Sequence, residues 1–293
     1  MDNELLNTFL CLAKLKNFTK SAEQLHVVQS TITSRIKHLE YMIGETLFIR
    51  TNKNVTLTNA GEVFLPYAKQ LLSIQDSAIS RLKALELFRD TLHIGVVHSI
   101  YDGHVQDMLL HYMQQNKNIA ARVTIEHSEQ LIQMLHENQL DIAYTYLDSK
   151  SPQYLCEPFY SDKIILVTGP QNSSIASGIT DNELRNLPLL SSAILTEAFQ
   201  EWFYSFFPNN YAYQLDINIS SNIIPFLKEG IGFSFMMESA ARRSLKEGSL
   251  VEVKLLESTP PRMESYLLLN KQRLNSEAVR QWLKEELHSP VYA

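Results

Sequence analysis

Between Phe18 and Glu40 the chain reads FTKSAEQLHVVQSTITSRIKHLE, two helix-length segments joined by a short turn. In the second segment Ile32, Ile36, Leu39 and Ile43 recur at i, i+4, i+7 and i+11, which makes one side of a helix apolar. Ser30, Thr33, Ser34, Lys37 and Tyr41 repeat a similar rhythm on the other side, with Gln29, Thr31 and Arg35 beside them. Such a helix has to bury one stripe and leave the other bare. Upstream, Leu5, Leu6, Phe9, Leu12 and Ala13 predict another helix with one apolar face. Asn17 suits the left-handed end of that helix, and Thr19 is placed to cap the next one. Ser21 and Ala22 are small enough to let a crossing helix approach, and Leu25 anchors the far end in the core.

A helix offering hydroxyls, an amide and cations together can meet phosphates and base edges at once. A plain solvated surface helix has the same look, so the neighbouring chain matters. LFIRTNKNVTLT reads as strand, turn and strand: Leu47 to Arg50, Asn52 to Asn54, then Val55 to Leu57. A hairpin carrying Arg50 and Lys53 beside a two-helix reader is a wing, and the whole reads as a winged helix-turn-helix. Charge agrees. Residues 14 to 53 hold seven basic residues against three acidic ones, a net of +4, in a chain whose formal charge is −6. One basic face on an acidic body suits a local polyanion contact and excludes wholesale coating of nucleic acid.

Residues 9 to 61 resemble the LysR-type transcriptional regulators through Phe9, NFTKSAEQLHVVQSTITSRIKHLE, Gly44, LFIR and VTLTNAG. The resemblance implies that Gln29, Ser30, Thr31, Ser34 and Arg35 face the major groove. It implies that Thr19, Thr33, Lys37, Arg50 and Lys53 mainly contact phosphates. Ser21 stands where the family often has alanine, and Asn17 where it often has glycine. Val28 stands where serine is common, so the reader helix is expected to lack a side-chain cap, at a local cost of ~1 kcal/mol.

After Thr58 a long helix runs on, with Phe64, Tyr67, Leu71, Ile74, Ala78 and Leu85 in alternating three-and-four spacing and Leu82 nearby. That is a short coiled-coil seam or a helix lying on its own body. Pro66 near its start is expected to bend it slightly. From Thr91 strands and helices alternate: TLHIGVV, YDGHVQDMLLHYMQQN, ARVTIEH, SEQLIQMLHENQ and LDIAYTYL. KIILVTG, LPLLSS, YQLDINIS and IGFSFMM supply a second set of strands, and ESYLLLN with a helix over NSEAVRQWLKEELH closes the chain. This pattern predicts a largely parallel α/β sheet in two lobes, with ligands bound at the carboxyl ends of the strands. LHIGVVHS, ENQLDIAY and LKEGIGFSFM resemble the effector domain of the same family, which is similar to periplasmic solute-binding proteins. GPQNSSI replaces the family's usual run in the loop after the strand entering the second lobe. The resemblance places Ser99 and the Ile100 backbone N–H at the effector site, with Ser128, Ser192 and Asn222 from analogous turns. Helix capping is the competing role for each of these residues.

The expected organisation is residues 1–58 for DNA binding, 59–89 as linker helix, and 90–293 as effector domain. Its lobes are expected near 90–161 plus 266–293, and 162–265. No apolar run reaches the ~18 residues of a membrane span, and MDNELLNTF lacks the pattern of a secretory signal. Cys11 and Cys156 have no metal-ligand spacing, so reduced thiols and a cytoplasmic protein are expected. His98, His104 and His111 gather without a third metal ligand at useful spacing and read as solvent-facing or strand-end residues. GIGFSF lacks the dinucleotide fingerprint, and GPQNSS is no nucleophile elbow. Phe199, Trp202, Phe203 and Phe206 read as the buried stripe of one helix. No catalytic set, metal site or cofactor is expected. The leading expectation is a regulator of transcription that binds duplex DNA as a homodimer or tetramer, answers to a small effector and has RNA polymerase as a candidate partner. A clamshell enzyme whose N-terminal unit only dimerises is one alternative. A constitutive DNA-binding architectural protein is the other.

Overall fold

The structure is a computed structural model that describes residues 2–50, 55–191 and 196–288. The chain forms two compact units, Met1–Lys83 and Ala84–Ala293. In the first, helices α1 (Asn3–Leu15), α2 (Phe18–Gln24) and α3 (Gln29–Ile43) precede strands β1 (Phe48–Arg50) and β2 (Val55–Leu57). The two strands pair antiparallel, with Ile49 opposite Thr56. The long helix α4 (Asn59–Leu85) follows. Leu5, Leu6, Phe9, Leu12, Ile32, Ile36, Leu39, Leu47 and Phe48 form one core. The apolar stripe of α3 is thus buried, with Ile43 packed at its edge.

The ends of these helices differ from the sequence expectation. Lys16, not Asn17, takes the left-handed conformation that ends α1, at φ 51°. Asn17 is extended and caps α2, its side-chain oxygen accepting from Lys20 N at 3.0 Å. Thr19 therefore is not the cap: reversing the chain takes one residue, and the next one is already in position to accept. Val28 precedes α3 without a side-chain cap bond, as its aliphatic side chain requires. Gly44 closes α3 at φ 81°, where a Cβ would be strained.

Phe64 and Ala68 of α4 also belong to this core, so the start of the connector helix packs on its own unit. Tyr67, Leu71, Ile74, Ala78 and Leu82 stay exposed along it.

In the second unit a five-stranded sheet has the order β4–β3–β5–β10–β6, for Ile119–Ile125, Asp90–Val96, Ile142–Thr145, Met263–Asn270 and Tyr154–Asp162. β3 pairs parallel with β4 and β5, but β10 runs antiparallel to β5 and β6. The largely parallel expectation is corrected: the returning strand β10 reverses direction, and β6 was missed altogether. The central strands β3 and β5 are covered on both faces, which is why they read as nearly unbroken apolar runs, whereas the outer β4 and β6 keep exposed residues. Ile94, Ile142, Tyr144, Leu267 and Leu269 meet a helical run built from α5 (His98–Ile100), a π-helical turn (Tyr101–Val105) and α6 (Gln106–Gln115). Ala143 and Leu268 face α7 (Ser128–His136) instead. That helical run begins at His98, ahead of the expected Tyr101.

The second sheet has the order β8–β7–β9, for Ser234–Met237, Ile164–Thr168 and Val251–Val253, all antiparallel. The expected strands over LPLLSS and YQLDINIS are reduced to single bridges, Leu189 to Phe233 and Ser191 to Asp216. The short helices α8 (Asp181–Leu184), α9 (Glu197–Tyr204) and α10 (Ile224–Lys228) and the longer α11 (Glu238–Lys246) surround this sheet. Phe199 and Phe203 of α9 are buried against Phe235, so the aromatic stripe is core.

The lobes meet where β6 hands over to β7. Asp162 at the end of β6 accepts from the Ser239 backbone N at 3.3 Å and from its hydroxyl. Gly103 in the π turn lies so close to Ser239 that no Cβ would fit. His104 is not solvent-facing. It is buried against Tyr160 and Phe159, with Nε2 3.9 Å from Asp162 Oδ2.

A buried ion network closes the first lobe. Arg273 donates to Asp141 Oδ1 at 2.9 Å and to Asp90 Oδ1 at 3.0 Å, and His93 N donates to the other Asp141 oxygen at 2.8 Å. Burial pushes the Asp90 carboxyl up, but N–H donation from Ala278 and Thr91 and the Arg273 guanidinium outweigh it, leaving its pKa below the ordinary 3.8. The last helix, α12 (Glu277–His288), is tied down by the Ala278 N–H to Asp90 and by Trp282 Nε1 donating to Tyr144 OH at 2.8 Å.

Two expectations follow for stability. Arg273→Met strands the fully buried Asp141 carboxylate, so urea unfolding should show a loss of about 3–5 kcal/mol. Because the folded-state pKa of Asp90 is depressed, its contribution is complete above its unfolded value and drains away as pH falls through the folded one. The variant's acid limb should therefore be shallower than that of the unaltered protein. In the first unit, Glu40 Oε1 accepts from Leu47 N at 2.9 Å and Phe48 N at 3.2 Å. Glu40→Ala should cost roughly 2 kcal/mol and speed hydrogen exchange at those two amides.

Candidate DNA-reading face and effector site

The burial of Ile32, Ile36 and Leu39 fixes the roll of α3 about its axis. Ser30, Ser34 and Lys37 are exposed on the side turned away from the core, Gln29 is exposed at the first position of the helix, and Thr31 and Thr33 are half-buried flanks. Thr33 spends its hydroxyl on Gln29 O at 3.1 Å. The exposed Thr19 hydroxyl donates to Gln29 Oε1 at 3.4 Å, so α2 helps to orient the amide at the start of α3.

The two arginines are engaged within the unit. Arg35 donates to Glu4 of α1 and is 22% exposed. Arg50 lies 3.4 Å from Glu40 Oε2 and stacks over the Phe18 ring at 5.0 Å. Lys53 falls outside the described residues. Among the α3 residues proposed from sequence, Lys37 is the exposed cation. Tyr41, 85% exposed, continues the polar stripe as its spacing predicts, and the exposed His38, which the sequence reading did not single out, extends the same surface. The helical period alone was enough to find His38. Glu4 and Glu40 could not be found that way, because their partners lie on other elements.

In the second unit the Ser99 hydroxyl and Tyr146 OH are 2.7 Å apart. Ser128 Oγ accepts from Tyr146 N at 3.1 Å. Two of the expected effector residues therefore converge on Tyr146, which the sequence reading missed. It packs against the cores of both lobes. Burial pushes its phenol pKa well up; the Ser99 hydrogen bond works against this, and the Asp162 charge adds to it. The phenol is thus held neutral. Ile100 has a buried side chain, 2% exposed, so only its backbone could serve a ligand; as the third residue of its helical run it has an N–H in the unsatisfied first turn. Asn222 is exposed in the 3-10 turn Ser220–Ile223 of the second lobe. Ser192 lies outside the described residues. Among the described residues no helix is long and apolar enough to cross a membrane.

Residues 4–62 match the family described as bacterial regulatory helix-turn-helix protein, lysR family, and residues 86–287 match the LysR substrate binding domain. The chain is 28% identical over 260 residues to the HTH-type transcriptional regulator CitR of Bacillus subtilis, covering 86% of this chain and 88% of that one. It is 36% identical over 145 residues to the regulator HdfR of Yersinia enterocolitica, about half of each chain (50% and 49%). Full-length CbnR, solved with its target DNA, has the same fold at a TM-score of 0.74 and 15% identity, covering 98% of this chain and 99% of that one. The chain belongs to the LysR family and is a DNA-binding transcriptional regulator with a domain for a small-molecule effector, not an enzyme.

Proposed function

We propose that the exposed side of α3 enters the major groove, where Gln29, Ser30 and Ser34 meet base edges with Thr31 at their flank. Lys37, Thr19, Thr33 and the wing residues Arg50 and Lys53 line the phosphate side. The observation that carries this reading is the uncovered stripe of Ser30, Ser34 and Lys37 opposite the fully buried Ile32, Ile36 and Leu39. The solved CbnR complex supports DNA as the partner of this fold.

The exposed apolar ridge of Tyr67, Leu71, Ile74 and Leu82 on α4 supports pairing with a second copy. A dimer would set two reader helices one turn of DNA apart, ~34 Å; a tetramer is a dimer of such dimers. RNA polymerase is the partner such a regulator would address, and the cytoplasm its compartment. The domain limits we assign are 1–58, 59–89 and 90–293. The effector is assigned to the cleft lined by Ser99, the Ile100 N–H, Ser128, Ser192 and Asn222, between lobes 90–161 plus 266–293 and 162–265. Tyr146, in contact with both cores, supports a site that senses lobe closure.

Selection of bound fragments by purified protein from a random library tests the first part. Lys37→Ala should weaken all sequences alike and lower the salt slope by about one. Gln29→Ala should cost roughly 1–3 kcal/mol on the selected duplex and relax preference at one base pair. For the effector, fractions of a cell metabolite extract should raise the melting temperature, with a gain of about 2.7 kcal/mol at a hundredfold excess over Kd. That gain should shrink in Ser99→Ala. Stabilisation by no fraction would favour a ligand-free architectural protein.

A further inference from the structure

We infer that Glu4 and Arg35 form an internal strut between α1 and α3, so that Arg35 positions the reader helix rather than touching DNA. The inference rests on the DNA-reading role of α3 proposed above and assigns this one arginine a different part in it.

Two independent observations converge. The first is direction. At 3.6 residues per turn, Ser30, Ser34, Lys37 and Tyr41 fall within about 60° of one another around α3, whereas Arg35 lies roughly 100° or more from each. Gln29 is also off that line, but it is exposed at the first position of the helix, whereas Arg35 is half-buried in its second turn. It stands at the border of the buried stripe, close in angle to Leu39. The second is occupancy. The Arg35 guanidinium is donated to the Glu4 carboxylate, and the side chain is 22% exposed beside the exposed Ser34. Glu4 sits in the first turn of α1, whose Leu5, Leu6 and Phe9 share the core with Ile32 and Ile36. The contact therefore ties the polar borders of two helices already joined by apolar packing.

An ion pair this open to water, with Glu4 64% exposed, contributes little to stability. Its effect is on geometry. A planar guanidinium against a carboxylate restrains the rotation of α3 against α1, and base-edge hydrogen bonds tolerate only small errors in that rotation. It also leaves the reading stripe with one cation, Lys37, among hydroxyls and an amide.

A strut and a base reader predict opposite signs for the same substitution. If Glu4 merely sequesters an arginine needed by DNA, Glu4→Gln frees it and tightens binding. If the pair is a strut, Glu4→Gln loosens α3 and weakens binding. The experiment measures Kd on a duplex selected by the unaltered protein, and on a random-sequence duplex, across a range of salt.

We expect Glu4→Gln and Arg35→Gln each to weaken the selected duplex roughly tenfold, and the double variant no more than the worse single one. The salt slope should stay unchanged in Arg35→Gln. The charge-swapped Glu4→Arg/Arg35→Glu protein should recover most of the affinity lost by Arg35→Glu alone, which no direct DNA contact by Arg35 would allow. Tighter binding by Glu4→Gln, or a salt slope lower by about one in Arg35→Gln, would overturn the strut. So would a folded swap no better than Arg35→Glu. If the swap does not fold, as read by circular dichroism, the sign of Glu4→Gln and the slope of Arg35→Gln still decide. Failure of the unaltered protein to select any duplex would instead sink the DNA-reading role of α3.

Discussion

The roll of α3 is the constraint on which the N-terminal unit turns. Three side chains, Ile32, Ile36 and Leu39, are withdrawn completely from water, each contributing about 1.5–3 kcal/mol. No arrangement of the polar residues competes with that sum. Whatever lies opposite those three is presented outward, and what lies at their border is presented to the neighbouring helices. The same burial that stabilises the unit therefore decides which side chains can meet another molecule. Polar contacts refine the result. Thr19 steadies Gln29, Glu40 holds the root of the wing through two backbone amides, and Arg50 rests on Phe18.

The second unit solves a different problem. The central strands β3 and β5 of its five-stranded sheet are buried on both faces, so most of their residues carry no outward side to read. The polar groups left over gather at the strand ends and at the junction of the lobes. There Ser99, Ser128 and Tyr146 meet at the end of β5, and Asp162 reaches across to Ser239. Tyr146 feels the charge of Asp162 as well as the hydroxyl of Ser99. A ligand that takes over the Ser99 hydroxyl would change the partners of a phenol that touches both cores. Such a ligand shifts the lobes only by as much as it prefers one arrangement of them.

How far the sequence could be read follows from the range of the interactions involved. The α3 stripe, the wing strands, the apolar ridge of α4 and the aromatic stripe of α9 are all periodic, so neighbouring residues reveal them. Thr19 was misplaced as a cap because Asn17 can equally accept, and which of them does so depends on where Lys16 turns the chain. The strand β6 carries Pro158 and Glu157 among its apolar residues and takes its ladder from β10, about a hundred residues on; periodicity had nothing to seize. The direction of β10 was hidden for the same reason. Tyr146 looked like one more apolar position of a buried strand, and only the tertiary approach of Ser99 and Ser128 gives its hydroxyl a role. The reach of Glu4 and Glu40 is likewise invisible in the chain.

The formal charges then take on a different meaning. The net of +4 over residues 14 to 53 suggests a strong electrostatic hold on DNA, yet two of those seven cations, Arg35 and Arg50, already have carboxylate partners inside the unit. A cation that stays with its carboxylate, as proposed for Arg35, releases no counterion on binding, and one that must share its charge, as Arg50 does with Glu40, releases less; counterion release supplies the sequence-independent part of the affinity. A reading face that is mostly hydroxyl and amide gives up general affinity and keeps the hydrogen bonds that distinguish one base pair from another. For a chain that is acidic as a whole, that division has a physical use. Repulsion from the acidic remainder opposes random attachment, so on the proposed reading residence at a site would depend on the fit of Gln29, Ser30 and Ser34 rather than on charge.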